Sequence, residues 1–430
     1  MKKIKEEFLH YIWKYRFFHT EYLYCGHEVV EVIDTGIHNF SSGPDFFNAR
    51  IRIGQTVWAG NVEVHVKASD WIRHGHQNDE AYDSVILHVV YDNDLAVFRK
   101  NGEEIPCVRL NFSPAVLEKY QVLTNNRVNR ICTGEIAGLD KVFIRDWTGK
   151  LMLERLGEKC RTVEDVLREN HYDWEDALYK ALAAAFGMKL NKEPFRLLAG
   201  SIPLKFILRN RKNPLTINAA FFGQAGFLDE LITDDPYYEM LMREYQSLKE
   251  ILPQPLPEKY MWKFMRSRPA GFPTARIPQF LNLVCNAFPL FEKIKDATEV
   301  SAIREHLSLH TKNYWIDHFL YGRPGRRKLT IPGNRTIDVL IINAVIPLLF
   351  AYAKFSRNDN LSRQTIEFLE DLPPENNEIT KKWDTFGIKS ENAFDSQAVI
   401  HLETRFCVRQ RCLDCLFGHK ILHKQYEKRY

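Results

Sequence analysis

Between Gly43 and Tyr91 the chain gathers Asp45, Glu63, His65, Lys67, Asp70, His74, His76 and His88, acids and imidazoles set among apolar residues. Four of the fifteen histidines fall within 24 residues, where an even spread would place about one. In NVEVHVK, strand alternation sends Val62, Val64 and Val66 to one face and Glu63, His65 and Lys67 to the other. Asp45 stands eighteen positions before Glu63, so an acid at the start of one strand precedes a row of acid, imidazole and ammonium on the next. Hard carboxylate oxygens hold Mg²⁺ or Mn²⁺, and a basic group beside them activates water for phosphodiester cleavage. Asp45 and Glu63 are the expected ligands, and His65 or Lys67 the expected partner of the attacking water. Lys67 lies about 13 Å from Glu63 along an extended strand, which makes its part a long reach.

Two other groupings carry metal chemistry. His65, His74, His76 and His88, with Asp70 and Asp79, suit a transition-metal site for zinc or manganese that hydrolyses through bound water. Alternatively, His88 is a core histidine and His74-Gly75-His76 plain loop surface. Near the C-terminus, Cys407, Cys412 and Cys415 are followed by His419. Three thiolates and an imidazole complete a tetrahedral zinc site, while Cys132 would be a remote fourth thiolate for an iron-sulfur cluster. A reduced cysteine group without metal is the plain alternative.

The elements that must position these residues are readable from periodicity. Ile4, Phe8, Tyr11, Ile12 and Tyr15 form one stripe of an opening helix. Strands are predicted over Val29 to Thr35, Phe46 to Ile53, Thr56 to Ala68, with a bulge at Ala59-Gly60, and Val85 to Tyr91; a short helix fits the polar stretch between the last two. From about Leu117 the apolar period changes from 2 to 3.6. Helices are predicted over Ile144 to Asn170, Trp174 to Met188, Pro236 to Leu252, Ile277 to Phe288, Ser301 to Leu307 and Ile337 to Phe355. The fold class is α+β: a mixed α/β domain over 1–125, a helical region over 126–395 and a short cysteine-rich basic tail over 396–430.

With 430 residues, 45% hydrophobic and 27% charged, the chain is too apolar for disorder and long enough for more than one core. Eight cysteines are too few for a disulfide scaffold, and a reducing cytoplasm is expected. The N-terminal lysines precede an apolar stretch broken by glutamates, so export is not expected. The longest apolar run, Val339 to Ala353, contains Asn343 and Pro347 and falls short of the ~20 residues that span a bilayer; it reads as a buried helix, and no membrane partner is expected. Net charge is +4. The loops with Arg266, Arg268 and Arg276 and with Arg326 and Arg327 contain no acid, which suits phosphate backbones.

Gly43-Pro44-Asp45 and Glu63-Val64-His65, after a leading helix, resemble the PD-(D/E)XK nuclease superfamily over roughly Met1 to Asp94, with His65 where that superfamily has lysine. The resemblance implies a metal held by Asp45 and Glu63, with Glu6 or Glu7 of the first helix as a further carboxylate. The three-cysteine tail is similar in layout to iron-sulfur nucleases of recombination helicases. Longer phrases, among them NVEVHVKASDW, LHVVYD, FFGQAGFL, RSRPAGFPTARI and CLDCLFG, resemble the uncharacterised bacterial family domain of unknown function 2851 nearly end to end, which implies architecture and no substrate. The reading from residues is a metal-dependent nucleic-acid phosphodiesterase using Mg or Mn, with zinc or an iron-sulfur cluster in the tail. The alternatives are a non-catalytic nucleic-acid-binding or assembly protein with a degenerate nuclease fold, and a zinc-type hydrolase using the histidine cluster.

Overall fold

The computed structural model describes residues 4–125, 130–228, 234–253, 259–264, 271–308, 313–325 and 332–427. The chain is mixed α+β, with its sheet near the N-terminus and a helical remainder. It divides into two compact units, Met1–Leu139 with Glu403–Tyr430, and Asp140–Leu402. Residues 403–430, expected as part of a separate tail, thus belong to the first unit.

The first unit is arranged around one long strand. Its elements are α1 (Glu6–Lys14), β1 (Tyr24–Cys25), β2 (Glu28–Asp34), β3 (Ile37–His38), β4 (Phe46–Ile53), β5 (Thr56–Lys67), α2 (Asp70–His74), β6 (Val85–Asp92), β7 (Cys107–Arg109), α3 (Pro114–Asn125) and α4 (Arg130–Ile136). The sheet runs β1-β2-β4-β5-β6-β7, with β3 on β4. The first half of β5 pairs antiparallel with β4, whereas its second half pairs in parallel with β6, Glu63 opposite His88 and His65 opposite Val90. A parallel neighbour needs a crossover, and here α2 and two single 3₁₀ turns, His76–Asn78 and Glu80–Tyr82, supply it.

α1 packs on β5. Phe8, Leu9, Ile12 and Trp13 are buried, while Tyr15, expected on the same stripe, lies just beyond the helix and is exposed. Fully burying rings and aliphatic chains of this size stabilises by about 1.5–3 kcal/mol each. A bulge interrupts β4, though not at the expected Ala59-Gly60: the register against β5 shifts between Phe46 and Ala49. Asn48 takes φ 57° there, and its N–H donates to Asn61 Oδ1 at 3.2 Å; asparagine is among the few residues that tolerate this region. Across from the bulge Gly36 has φ 86°, and a Cβ on it would sit 2.6 Å from the Phe47 carbonyl oxygen, so only glycine fits.

The second unit is helical apart from a short two-stranded ribbon, His318–Leu320 with Arg323–Pro324. Its longest helix, α5 (Lys141–Glu169), starts at Asp140, whose side chain accepts from the Phe143 N–H at 3.0 Å, a cap worth about 1 kcal/mol. The apolar run expected as a buried helix forms Asn334–Phe355, with a π turn at Ile341–Val345. These 22 residues are long and apolar enough to cross a membrane, and 78% of the most apolar window is buried within the protein. Lys159 of α5 meets this helix at its π turn, donating to the Ile342 carbonyl (3.3 Å), Asn343 Oδ1 (3.0 Å) and Gln397 Oε1 (2.9 Å). Hydrogen-bonding carbonyls freed by a π turn to a side chain is a common way of accommodating it.

Candidate functional site

Alternation along β5 places Glu63 and His65 on the face opposite Val62 and Val64, and the parallel pairing with β6 buries all four. A buried carboxylate needs partners, and Glu63 has them on both oxygens. Oε2 accepts from the Asp45 N–H at 3.1 Å. Oε1 lies 3.3 Å from His76 Nε2 and 3.5 Å from His65 Nε2. Asp45, just before the bulged β4, reaches back to accept from the Val64 N–H at 3.0 Å. The two expected acids are therefore locked to each other through the sheet backbone.

Imidazoles surround this pair. His74 at the end of α2 has Nδ1 3.2 Å from His65 Nε2. Gly75 follows in the left-handed region (φ 79°), ending α2 and turning His76 back toward the sheet. The ligand nitrogens of His65, His74 and His76 all lie within 4.8 Å of one another. Burial grades outward from His65 through half-buried His76 to exposed His74, so the cluster opens to solvent at one side. The Tyr82 ring stacks on His76 at 3.8 Å between centroids and walls the cluster.

Electrostatics favour neutral imidazoles inside. Burial and the neighbouring His88, His76 and His74 push His65 down to about 2, and burial with His76 pushes His88 down to about 3. Neutral imidazole is the form that binds metal. Burial raises the Glu63 carboxyl, with Asp45 adding to it and the hydrogen bond to His76 opposing it. His88, in the middle of β6, puts Nε2 2.8 Å from His65 Nδ1, which leaves His65 Nε2 as the atom directed at the cluster. A hydrogen bond at one ring nitrogen fixes the tautomer and orientation of the other.

α1 contributes two residues. His10 Nε2 stands 3.1 Å from Asp45 Oδ2, and Glu6, one turn earlier, interacts with His10, His74 and Asp45. Glu6 was among the expected carboxylates; Glu7 instead accepts from the Tyr120 hydroxyl at 2.7 Å. His10 was not foreseen, although a Glu6-x3-His10 pair puts two polar side chains on one face of an otherwise buried helix.

Other expected residues are placed elsewhere. Lys67 is half-exposed, its Nζ 3.9 Å from Asp92 and 3.8 Å from Asp94, so it does not supply an ammonium beside Glu63. Asp70 accepts from the Lys67 N–H at 3.1 Å and pairs with Arg73 at 2.9 Å, committing it to the start of α2. Arg276, expected on a phosphate-binding surface, is partly buried and bonds Gln279 and Thr336 at 3.2 to 3.4 Å; burial lowers its pKa to about 10. Arg266, Arg268, Arg326 and Arg327 lie outside the described residues. Cys132, on α4, and the tail's Cys407, Cys412 and Cys415 lie within electrostatic reach of one another. His419 turns its ring away to α1, Nδ1 3.0 Å from the Tyr11 hydroxyl and ring packed on Tyr15.

Comparison with curated proteins and with solved structures returned no match, and the resemblance to the PD-(D/E)XK superfamily is not supported. One family profile matches residues 6–378, ending before the cysteine tail that was expected to share the resemblance. The chain belongs to that family, described as Protein of unknown function (DUF2851).

Proposed function

We propose that the first unit is a metal-dependent hydrolase of phosphodiesters, with nucleic acid as its substrate class, working in the cytoplasm. The observation that carries this reading is the convergence of His65, His74 and His76, with ligand nitrogens within 4.8 Å of one another, on a side where Glu63 Oε1 stands 3.3 and 3.5 Å from two of them. Three imidazoles and one carboxylate suit zinc or manganese better than magnesium, which prefers oxygen. A metal held there would polarise a phosphoryl oxygen and acidify bound water.

The protein's own groups have distinct parts in this reading. Glu63, His65, His74 and His76 hold the ion, and His88 fixes the His65 ring. His10, whose Nε2–H is oriented by Asp45, takes a proton from the attacking water at its other ring nitrogen, Nδ1, when unprotonated; general-base action of this kind contributes about 10²–10⁴-fold. The phosphodiester assignment is supported by the order helix, antiparallel strands, short helix, parallel strand, with acids at the start of β4 and within β5.

The test uses metal-stripped protein supplied with Mn²⁺, Zn²⁺ or Mg²⁺ and offered DNA, RNA and a small aryl phosphodiester. Cleavage restored by manganese or zinc and lost in His74→Ala supports the reading. A second reading, a non-catalytic nucleic-acid-binding or assembly protein, is favoured by the engagement of Lys67 with Asp92 and Asp94. It predicts nucleic-acid binding and no cleavage with any of the three ions.

A further inference from the structure

We propose that Cys132, Cys407, Cys412 and Cys415 hold one metal centre through four thiolates, and that this centre fastens the C-terminal segment against α3, α4 and the helix that carries His10. The proposal goes beyond the hydrolase reading and does not depend on it.

The argument starts from chain geometry. Cys407 ends a π turn over Leu402–Cys407. The chain then doubles back: the Gln410 N–H donates to the Cys407 carbonyl at 3.1 Å, Gln410 takes φ 55°, and the Arg411 N–H donates to the Phe406 carbonyl at 2.9 Å. Cys415 immediately precedes the last helix, Leu416–Glu427. Gly418, in that helix's first turn, is pressed so closely on the loop that a Cβ would fall 2.1 Å from the Cys412 carbonyl oxygen. This close approach holds Cys412 beside Cys415. The last helix packs on α3 and α4, and α4 carries Cys132. Residues about 275 positions apart in the chain are thereby brought to one place, which the spacing within the tail does not require.

The surroundings suit a cation. Cys132 is close enough to Cys415 and Cys412, and Cys407 to Cys415, Cys132 and Cys412, for their charges to act on one another. Charged groups acting on three of them include Glu403 on Cys407, Glu7 on Cys412 and Lys119 on Cys132. Four cysteines brought to one end of the unit form a ligand set for a thiophilic metal, either a tetrahedral zinc ion or an iron-sulfur cluster. As the centre fills, each S–H gives its proton to solvent and an S–metal bond replaces it, without electron transfer in the zinc case.

The link to α1 runs through the same segment. The His419 N–H donates to the Cys415 carbonyl at 2.8 Å, and the His419 ring meets the Tyr11 hydroxyl at 3.0 Å. Tyr11 neighbours His10. Glu7, on the same helix, acts electrostatically on Cys412.

The experiment measures zinc, iron and acid-labile sulfide in anaerobically purified full-length protein carrying His74→Ala, so that an ion at the histidine cluster does not enter the count. Zinc at about one per chain, or iron with matching sulfide, is expected, and the two arms identify the filling. Metal content should fall about tenfold or more in Cys132→Ser and Cys412→Ser, and stay unchanged in His419→Ala and Cys285→Ser. Should a serine variant fail to fold, a chelator applied to the His74→Ala protein, whose histidine cluster holds no ion, gives an independent readout: hydrogen exchange over Glu6–Lys14 rises as metal is released. Wild-type protein with neither zinc nor iron overturns the proposal, as does metal retained without Cys132 but lost without His419.

Discussion

His10 Nε2 lies 3.1 Å from Asp45 Oδ2, joining the first helix to the acid at the head of β4. Burial pulls the His10 pKa down, but the hydrogen bond and charge of Asp45 outweigh it, and the net shift is upward from the ordinary 6.5. The sign follows from linkage: a raised imidazole contributes stability that is fully present below the unfolded-state value and is lost as pH rises through the folded-state value. In metal-free Asp45→Asn the His10 pKa, followed by NMR, should fall below its wild-type value. An unchanged titration would mean that the pair does not interact in solution. In the hydrolase reading, His10→Ala should lower turnover by about 10²-fold or more while metal binding persists.

His88 tests the layer behind the cluster. It touches His65 at 2.8 Å and sits in the centre of the sheet. His88→Phe keeps an aromatic ring but removes the partner that orients His65, so in the hydrolase reading manganese or zinc affinity should drop about 10–100-fold. Isothermal titration against His74→Ala, which removes a ligand outright, separates the two effects. An affinity unchanged in His88→Phe would show that His65 is held by packing alone.

How much of this was legible follows from the length scale of each signal. Strand alternation is local, so Glu63 and His65 on one face, and the strands at 46–53 and 56–67, could be read directly. The same rule failed for Lys67, because β5 ends there and Asp92 and Asp94 beyond the parallel neighbour draw the ammonium aside. His10 belongs to a helix whose place over β5 is a tertiary fact, and only its spacing from Glu6 hinted at it. Long amphipathic helices such as α5 were legible. The short ones at Lys192–Ser201, Leu204–Asn210, Pro214–Gln224 and Glu378–Thr385 were not, because few turns carry a periodic pattern and their boundaries rest on single caps such as Asn213 and Asn377. Cys132 and His419 were the two candidates for a fourth ligand; the packing of the last helix on α4 and the turn of the His419 ring to Tyr11 are both tertiary facts that the spacing within the tail does not carry.

Arg276 separates charge composition from charge placement. Its guanidinium is tied to Gln279 and Thr336 and partly buried. Arg276→Gln should therefore leave the salt dependence of DNA or RNA binding unchanged, whereas each phosphate-contacting arginine lost would flatten the slope by about 0.9. Filter binding across a salt series reads this directly. A slope reduced in Arg276→Gln would place it on the nucleic-acid surface after all.

Lys159 is the clearest stability determinant in the second unit. All three of its hydrogen-bond acceptors are internal: the Ile342 carbonyl, Asn343 and Gln397. Gln397 keeps a second donor, Arg155, at 2.7 Å and itself donates to Glu375 at 2.9 Å. Replacing Lys159 with methionine fills the space but strips a donor from Asn343 and from the π-turn carbonyl, and an unsatisfied buried group costs about 1–3 kcal/mol. The expected loss is about 2–4 kcal/mol, a Tm lower by on the order of 5–10 °C. Burial, aided by Arg155 and opposed by Glu375, depresses the Lys159 pKa well below 10.5. Between that depressed value and 10.5 the unfolded chain binds a proton that the folded chain lacks, so stability rises with pH across the window. Thermal melts over a pH series should show this slope in the wild type and a flatter one in Lys159→Met. Equal Tm values and equal slopes in the two proteins would mean that the amine reaches solvent and the network does not hold the helices together.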